Sequence, residues 1–402
     1  MAAPAPESTS GGLRGTSAPP AFLRMGKMRK SRLESFFNSG VFRWVFVSSL
    51  LSLGGCAGKS VDTDPRLENP VLYPAPPEQP RIQYLASISG PEDLKGGGGQ
   101  SSSFFDRLVG EGEDAAETAI ERPYGITSVP GMIFVCDIEG DRIVMLDLSR
   151  EIYETLETPA LRRPADCAAD PADGRIYVTD VVENKVSVFS PDGALVGQLA
   201  TEDEARPVSV HVGDRNVWVG DMEAHKIYAY DKVTLTQTAV LPDLPPDSVG
   251  GIGTPSGLAV FGDTIFVADE VNFVVSMYSV SGEVLGHFGG LGDNPGQFGR
   301  PKSVSVGPDG VIYVVDARHQ NVQMFNLAGE VLMWFGGGYE GPGDMYLPAS
   351  VKVDVHNMQY FEDRVLEGYE LQYLVLVANQ YGPDKLNVYG RIEPIGGSDV
   401  PQ

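Results

Sequence analysis

Five stretches of the chain match one another: Ile133-Phe-Val-Cys-Asp137, Ile176-Tyr-Val-Thr-Asp180, Val217-Trp-Val-Gly-Asp221, Ile265-Phe-Val-Ala-Asp269 and Ile312-Tyr-Val-Val-Asp316. Each is a β-branched and aromatic run that stops at an Asp, which reads as a buried strand ending in a turn. Leu374-Val-Leu-Val-Ala-Asn379 is a sixth, degenerate copy. The Asp-to-Asp spacings are 43, 41, 48 and 47, then 63 to Asn379. Self-similarity at such a period marks a repeat architecture, and the fold must be read from the repeat.

Outward from each run the pattern continues. A Pro lies 14 to 16 residues ahead of each of the first five Asp, at Pro123, Pro164, Pro207, Pro255 and Pro301. Pro348 precedes Asn379 by 31, so the last unit carries an insertion over roughly 356–370. After the Pro comes a short apolar strand, such as Ser256-Gly-Leu-Ala-Val260, then a tight turn and the strand ending in Asp. A five-residue turn leads to an alternating strand, Asn321-Val-Gln-Met-Phe325 for example, and a fourth strand closes the unit. Four short strands per ~45 residues, repeated, predict the blades of a propeller. The chain is therefore expected to be all-β, a six-bladed β-propeller over residues 81–392.

The sixth unit runs out after its third strand. Arg81-Ile-Gln-Tyr-Leu-Ala-Ser-Ile88 alternates like the outer strands and lies ahead of the first unit. It is expected to supply the missing strand, so that the ring is closed by an N-terminal strand and no sheet edge is left between last and first blades. Between it and the first blade, 96–103 reads as a flexible loop and 104–109 as one helical turn.

These repeats resemble NHL repeats. The similarity is strongest over 286–335, with Phe288-Gly-Gly and Pro295-Gly-Gln-Phe298, and spans about 123–391. It implies a propeller of NHL-like repeats and leaves the function open, because propellers host many unrelated activities.

Composition agrees. There are 48 Gly and 30 Pro in 402 residues, a surplus that favours short strands and turns. The formal charge is −24, which disfavours nucleic-acid phosphates and anionic lipid surfaces as partners.

The first 55 residues read as a leader and signal peptide. Lys27, Arg29, Lys30, Arg32 and Arg43 precede an apolar run from Trp44 to Leu53 that is too short to span a bilayer. Leu53-Gly54-Gly55-Cys56 resembles the lipobox of bacterial lipoproteins. That resemblance implies cleavage before Cys56, lipidation of its sulfur and anchoring to a membrane by more than one acyl chain. Ala57 follows in place of an Asp, which points to the outer membrane of a bacterial envelope. Residues 56–80 are Pro-rich and read as a tether, and 393–402 as a C-terminal tail.

Candidate chemistry is sparse. Cys136 and Cys167 fall at core positions of the repeat and read as small buried hydrophobes, with a disulfide between blades as the alternative. His211, His225, His287, His319 and His356 show no zinc-ligand spacing. The peptidyl-hydroxyglycine amidating lyases, which share this architecture, take zinc from His just after the blade Pro. Here those positions hold Tyr124, Ala165, Val208, Ser256, Lys302 and Ala349. The metal set of gluconolactonase-like propellers cannot be matched residue by residue. The repeated Asp residues read as ligands of turn N–H groups.

One feature stands apart. Arg122, Arg163, Arg206 and Arg300 each precede a blade Pro, with Lys302 nearby, while Thr254 and Leu347 take that place in the other two blades. Equivalent repeat positions fall around one mouth of a propeller, so a partial basic ring is expected there, suited to a carboxylate or phosphate. The competing expectation is that each Arg pairs with its own repeat Asp. With no catalytic constellation and no cofactor indicated, the reading favoured is a lipid-anchored envelope module that binds a protein, peptide or glycan. A propeller hydrolase or lyase with a channel metal is the alternative.

Overall fold

The computed structural model describes residues 69–94, 119–156, 158, 161–201 and 204–396. Residues 1–68 and 95–118 lie outside these, and with them Cys56, the leader and the segment 96–109. Among the described residues no helix is long and apolar enough to cross a membrane.

Six antiparallel sheets make the molecule a six-bladed β-propeller. Blade 1 runs Pro123–Val129, Met132–Asp137, Arg142–Asp147 and Ile152–Leu156. Blades 2 to 5 repeat the order, with innermost strands Pro164–Ala169, Pro207–Val212, Pro255–Phe261 and Pro301–Val306. Blade 6 has Pro348–Asp354, Tyr369–Asn379 and Leu386–Pro394. The innermost strands neighbour one another around the ring, and Pro348–Asp354 meets Pro123–Val129 to close it.

The register explains the sequence pattern. Each blade Pro is the first residue of its strand, where a missing N–H is tolerated, and sits opposite the repeat Asp or Asn, as in Pro164↔Asp180 and Pro348↔Asn379. The Asp side chains are buried and spend themselves on backbone. Asp180 accepts from the N–H groups of Arg162, Arg163, Val182 and Glu183 at 2.6 to 3.1 Å. Asp316 does the same for Gly299, Arg300, Arg318 and His319. Each carboxylate thus ties the incoming strand to the following turn.

Core packing lies between blades. The residue three after each Pro, Ile126, Cys167, Val210, Leu258, Val304 or Val351, faces the preceding blade in six separate clusters. Cys136 and Cys167 sit together in the cluster between blades 1 and 2 as free buried thiols, so the disulfide is not formed.

The N-terminal strand Ile82–Ile88 pairs antiparallel with Leu386–Pro394, from Ile82↔Arg391 to Ile88↔Leu386. It is the fourth strand of blade 6, as expected. A short strand, Leu72–Tyr73, pairs in turn with Ile82 and Gln83 and makes a fifth. That strand falls within 56–80, so the end of the stretch read as a tether belongs to the sheet; Val71 and Tyr73 pack on the core between blades 5 and 6.

Candidate functional site

Arg122, Arg163, Arg206 and Arg300 lie at equivalent positions of blades 1, 2, 3 and 5. Each donates its backbone N–H to the repeat Asp of its own blade, at 2.8 to 3.1 Å. None pairs its guanidinium with that Asp. The competing expectation is therefore overturned: the Asp oxygens are taken by backbone N–H groups and, at Asp137, also by the Arg142 guanidinium at 3.1 Å.

The four side chains differ in their surroundings. Arg300 meets Glu270 at 2.6 Å, and the same carboxylate holds the ammonium of Lys302 at 3.0 Å. Burial pushes the Glu270 carboxyl up, but Lys302 and Arg300 outweigh it and hold it below its ordinary value. Lys302 is only 7% exposed and also donates to the Tyr124 hydroxyl at 2.6 Å. That bond links blade 5 to blade 1. Arg122 reaches Glu139 at 3.6 Å and Gln380 at 3.3 Å, and stacks over Tyr381. Arg163 and Arg206 are exposed, with no side-chain partner among the described residues. The basic ring is thus uneven: Arg122 meets a carboxylate of its own blade, Arg300 and Lys302 share the single carboxylate of Glu270 from blade 4, and blades 2 and 3 present their arginines to solvent.

Deeper along the innermost strands lies a second group. The residues four after each Pro are Thr127, Ala168, His211, Ala259, Ser305 and Lys352. Four are small and buried; His211 and Lys352 are only half-buried. They belong to blades 3 and 6, which face each other across a ring of six. Asp166, two after Pro164, is half-buried and accepts from the N–H groups of Cys167 and Val210, both at 2.9 Å. The side chains of Lys352 and His211 have no hydrogen bond or ion pair among the described residues.

Lys352 acts electrostatically on both of the others across the channel that the inner strands enclose. Burial pushes the Asp166 carboxyl up to about 7, against the pull of its two N–H donors and of Lys352. Burial pulls the His211 imidazole down to about 3, with the Lys352 charge adding to it. Burial also lowers the Lys352 ammonium, while Asp166, Asp354 and Cys167 oppose that. Sequence reasoning missed this group, although the alignment that exposed the Arg positions, read further into each strand, contains it.

His225 and His319 belong to the scaffold. His225 holds φ +56 in its turn and contacts the Gly253 carbonyl. His319 lies 2.9 Å from Asp316 and 3.1 Å from Asp293. Among the described residues no three His, Cys, Asp or Glu side chains gather as they would to hold a metal.

No protein-family model and no curated protein sequence matches the chain. Solved structures do. A nidogen/laminin complex is 18% identical, with a TM-score of 0.46, over 54% of this chain and 82% of the other. A streptogramin B lyase is 14% identical, with a TM-score of 0.47, over 67% and 93%. Virginiamycin B lyase from Staphylococcus aureus is 15% identical, with a TM-score of 0.46, over 67% and 95%. At such identities these are likenesses of fold alone, and the six-bladed closure rests on the strand pairing of this chain.

Proposed function

We propose that this chain is a lipid-anchored binding module of a bacterial cell envelope, whose arginine-bearing propeller face takes an anionic group of a protein, peptide or glycan partner. The observation that carries the reading is the pair Arg163 and Arg206: adjacent blades, equivalent positions, exposed, and with no side-chain partner among the described residues, on a chain of net charge −24. Exposed guanidinium groups on an acidic protein suit an anionic partner, since their planar forks match carboxylate and phosphate. The anchor is the lipid on Cys56, which the Leu53-Gly54-Gly55-Cys56 motif supports.

Cross-linked capture from native membranes tests both halves. With Arg163→Ala and Arg206→Ala combined, capture at low salt falls about tenfold, as expected for one or two lost charge-assisted bonds. At high salt the gap narrows, because screening weakens the wild type too. Equal capture by both proteins at low and high salt refutes the docking face. Cys56→Ser moves the protein out of the membrane fraction. A mutant that still partitions into detergent with the wild-type mass refutes the anchor.

A further inference from the structure

We propose that the central channel binds a small organic carboxylate, held by the Lys352 ammonium and by an N–H of His211 from the opposite blade, with Asp166 beside them. This site is separate from the arginine face.

The argument begins with what fills the channel. At the depth of Lys352, four of the six inner strands contribute only Thr127, Ala168, Ala259 or Ser305. Thr127 and Ser305 are engaged with the neighbouring strand, accepting from the N–H groups of Ala169 and Val353 at 2.8 and 3.0 Å. One level nearer the arginine mouth, Ser209 donates to the Pro255 carbonyl at 2.6 Å, and Ser303 accepts from Val351 N–H at 3.3 Å. The small hydroxyls thus seal one inner strand to the next. Lys352 and His211 make no such bond and are left with unspent polar groups.

An ammonium that is half-buried and unpaired calls for an anion. No carboxylate lies within ion-pair distance of it among the described residues; Asp166 is occupied by two N–H donors, and Asp354 by His356 N–H and Asn357 at 2.8 and 2.7 Å. The donors left are few. The innermost N–H groups of Ala169, Val210, Val351 and Val353 are all taken by side chains. Among the described residues, the side-chain donors left at this depth are the ammonium, the imidazole N–H and the hydroxyl hydrogens of Thr127 and Ser305, whose oxygens only accept; the first two suit the two oxygens of a monoanion. A phosphate dianion carries twice the charge and sits poorly beside a carboxyl group. The upward shift of Asp166 to about 7 is consistent, since a carboxyl that is partly neutral tolerates a neighbouring carboxylate.

The test is a titration of the full chain in detergent, labelled in its histidine rings and followed by NMR. The His211 resonance is assigned by its loss in His211→Gln. The probe is acetate, with inorganic phosphate as the contrast. Acetate is expected to move the His211 resonance saturably at ~mM concentrations, the range of a ligand this small. Lys352→Met weakens the response at least tenfold, and Lys352→Arg restores most of it. A His211 resonance that acetate leaves unmoved overturns the site without need of any variant. A response to phosphate but not to acetate overturns the ligand class. Equal responses in wild type and Lys352→Met overturn the role of the ammonium.

Discussion

At the scale of single residues, side chains of the same type do different work according to where the repeat puts them. Asp180 is buried, and its charge is absorbed by four N–H groups. Asp166 has two N–H donors and shares the channel with a lysine and a histidine. The histidine gives a measurable consequence. Burial, with the Lys352 charge, pulls the folded His211 ring down to about 3, against an ordinary value near 6.5. Between those values the unfolded chain binds a proton that the folded chain refuses. Stability contributed by the neutral ring is therefore complete above pH ~6.5 and is lost as pH falls toward 3. In His211→Gln that loss disappears. The variant should gain on the wild type steadily below pH ~6.5, by up to ~1.4 kcal/mol per pH unit. Urea unfolding from pH 7 to 4 measures it. Parallel curves would mean that His211 reaches solvent freely. The structural role of the repeat Asp residues was legible in the sequence, because their recurrence ahead of turns has a mechanism. The channel group was not, because Lys352 and His211 occur once each, and a repeat hides what it does not repeat.

Among elements, the link between one blade and the next shows why the repeat carries its Phe-Gly and Gly-x-Phe pieces. Phe298 is fully buried and packs against Phe325 at 5.6 Å, while Leu291 and Phe298 form a parallel bridge. Gly289 has φ +106, and a side chain there would strike the Phe298 ring. The following blade repeats the device with Gly336 at φ +79 beneath Met345 and a bridge from Gly338 to Met345. The insertion in blade 6 is different. The sequence shows its length but nothing of its purpose, since its partners are hundreds of residues away. Asn357 accepts from Gly131 N–H at 2.7 Å and donates to the Val129 carbonyl at 3.1 Å, both in the first blade. The carbonyl of Arg364 and the N–H of Leu366 bond to the buried Gln83 side chain at 2.8 and 2.9 Å. The insertion is thus a second clasp across the same seam that the N-terminal strand closes. The length change at Pro348 marks where it sits, and only the fold reveals what it holds.

In the molecule as a whole, the ring is held shut at one seam by residues from both ends of the chain. Ile82 and Tyr84 pack toward blade 5, with Tyr84 edge-on to Tyr389 at 5.7 Å, while Leu85, Ala86 and Ile88 pack toward blade 1. A propeller has no core other than the interfaces between its blades, so each blade is stable only while both neighbours are in place. Opening the seam leaves two blades with one bare face each, and the loss passes to the next interface. Leu85 tests this. It is 1% exposed, in the cluster shared by blades 6 and 1. Leu85→Ala should cost ~2–4 kcal/mol, the usual toll of a buried Leu truncated in a packed core. If the ring unfolds as one unit, native-state hydrogen exchange will show that toll equally in the inner strand of blade 3, on the far side, and in those of blades 6 and 1. Protection lost only beside the seam would make the N-terminal strand a local latch. Blades 2 to 5 would then stand as an open stack, and the opposed pair His211 and Lys352 would part whenever the seam opened.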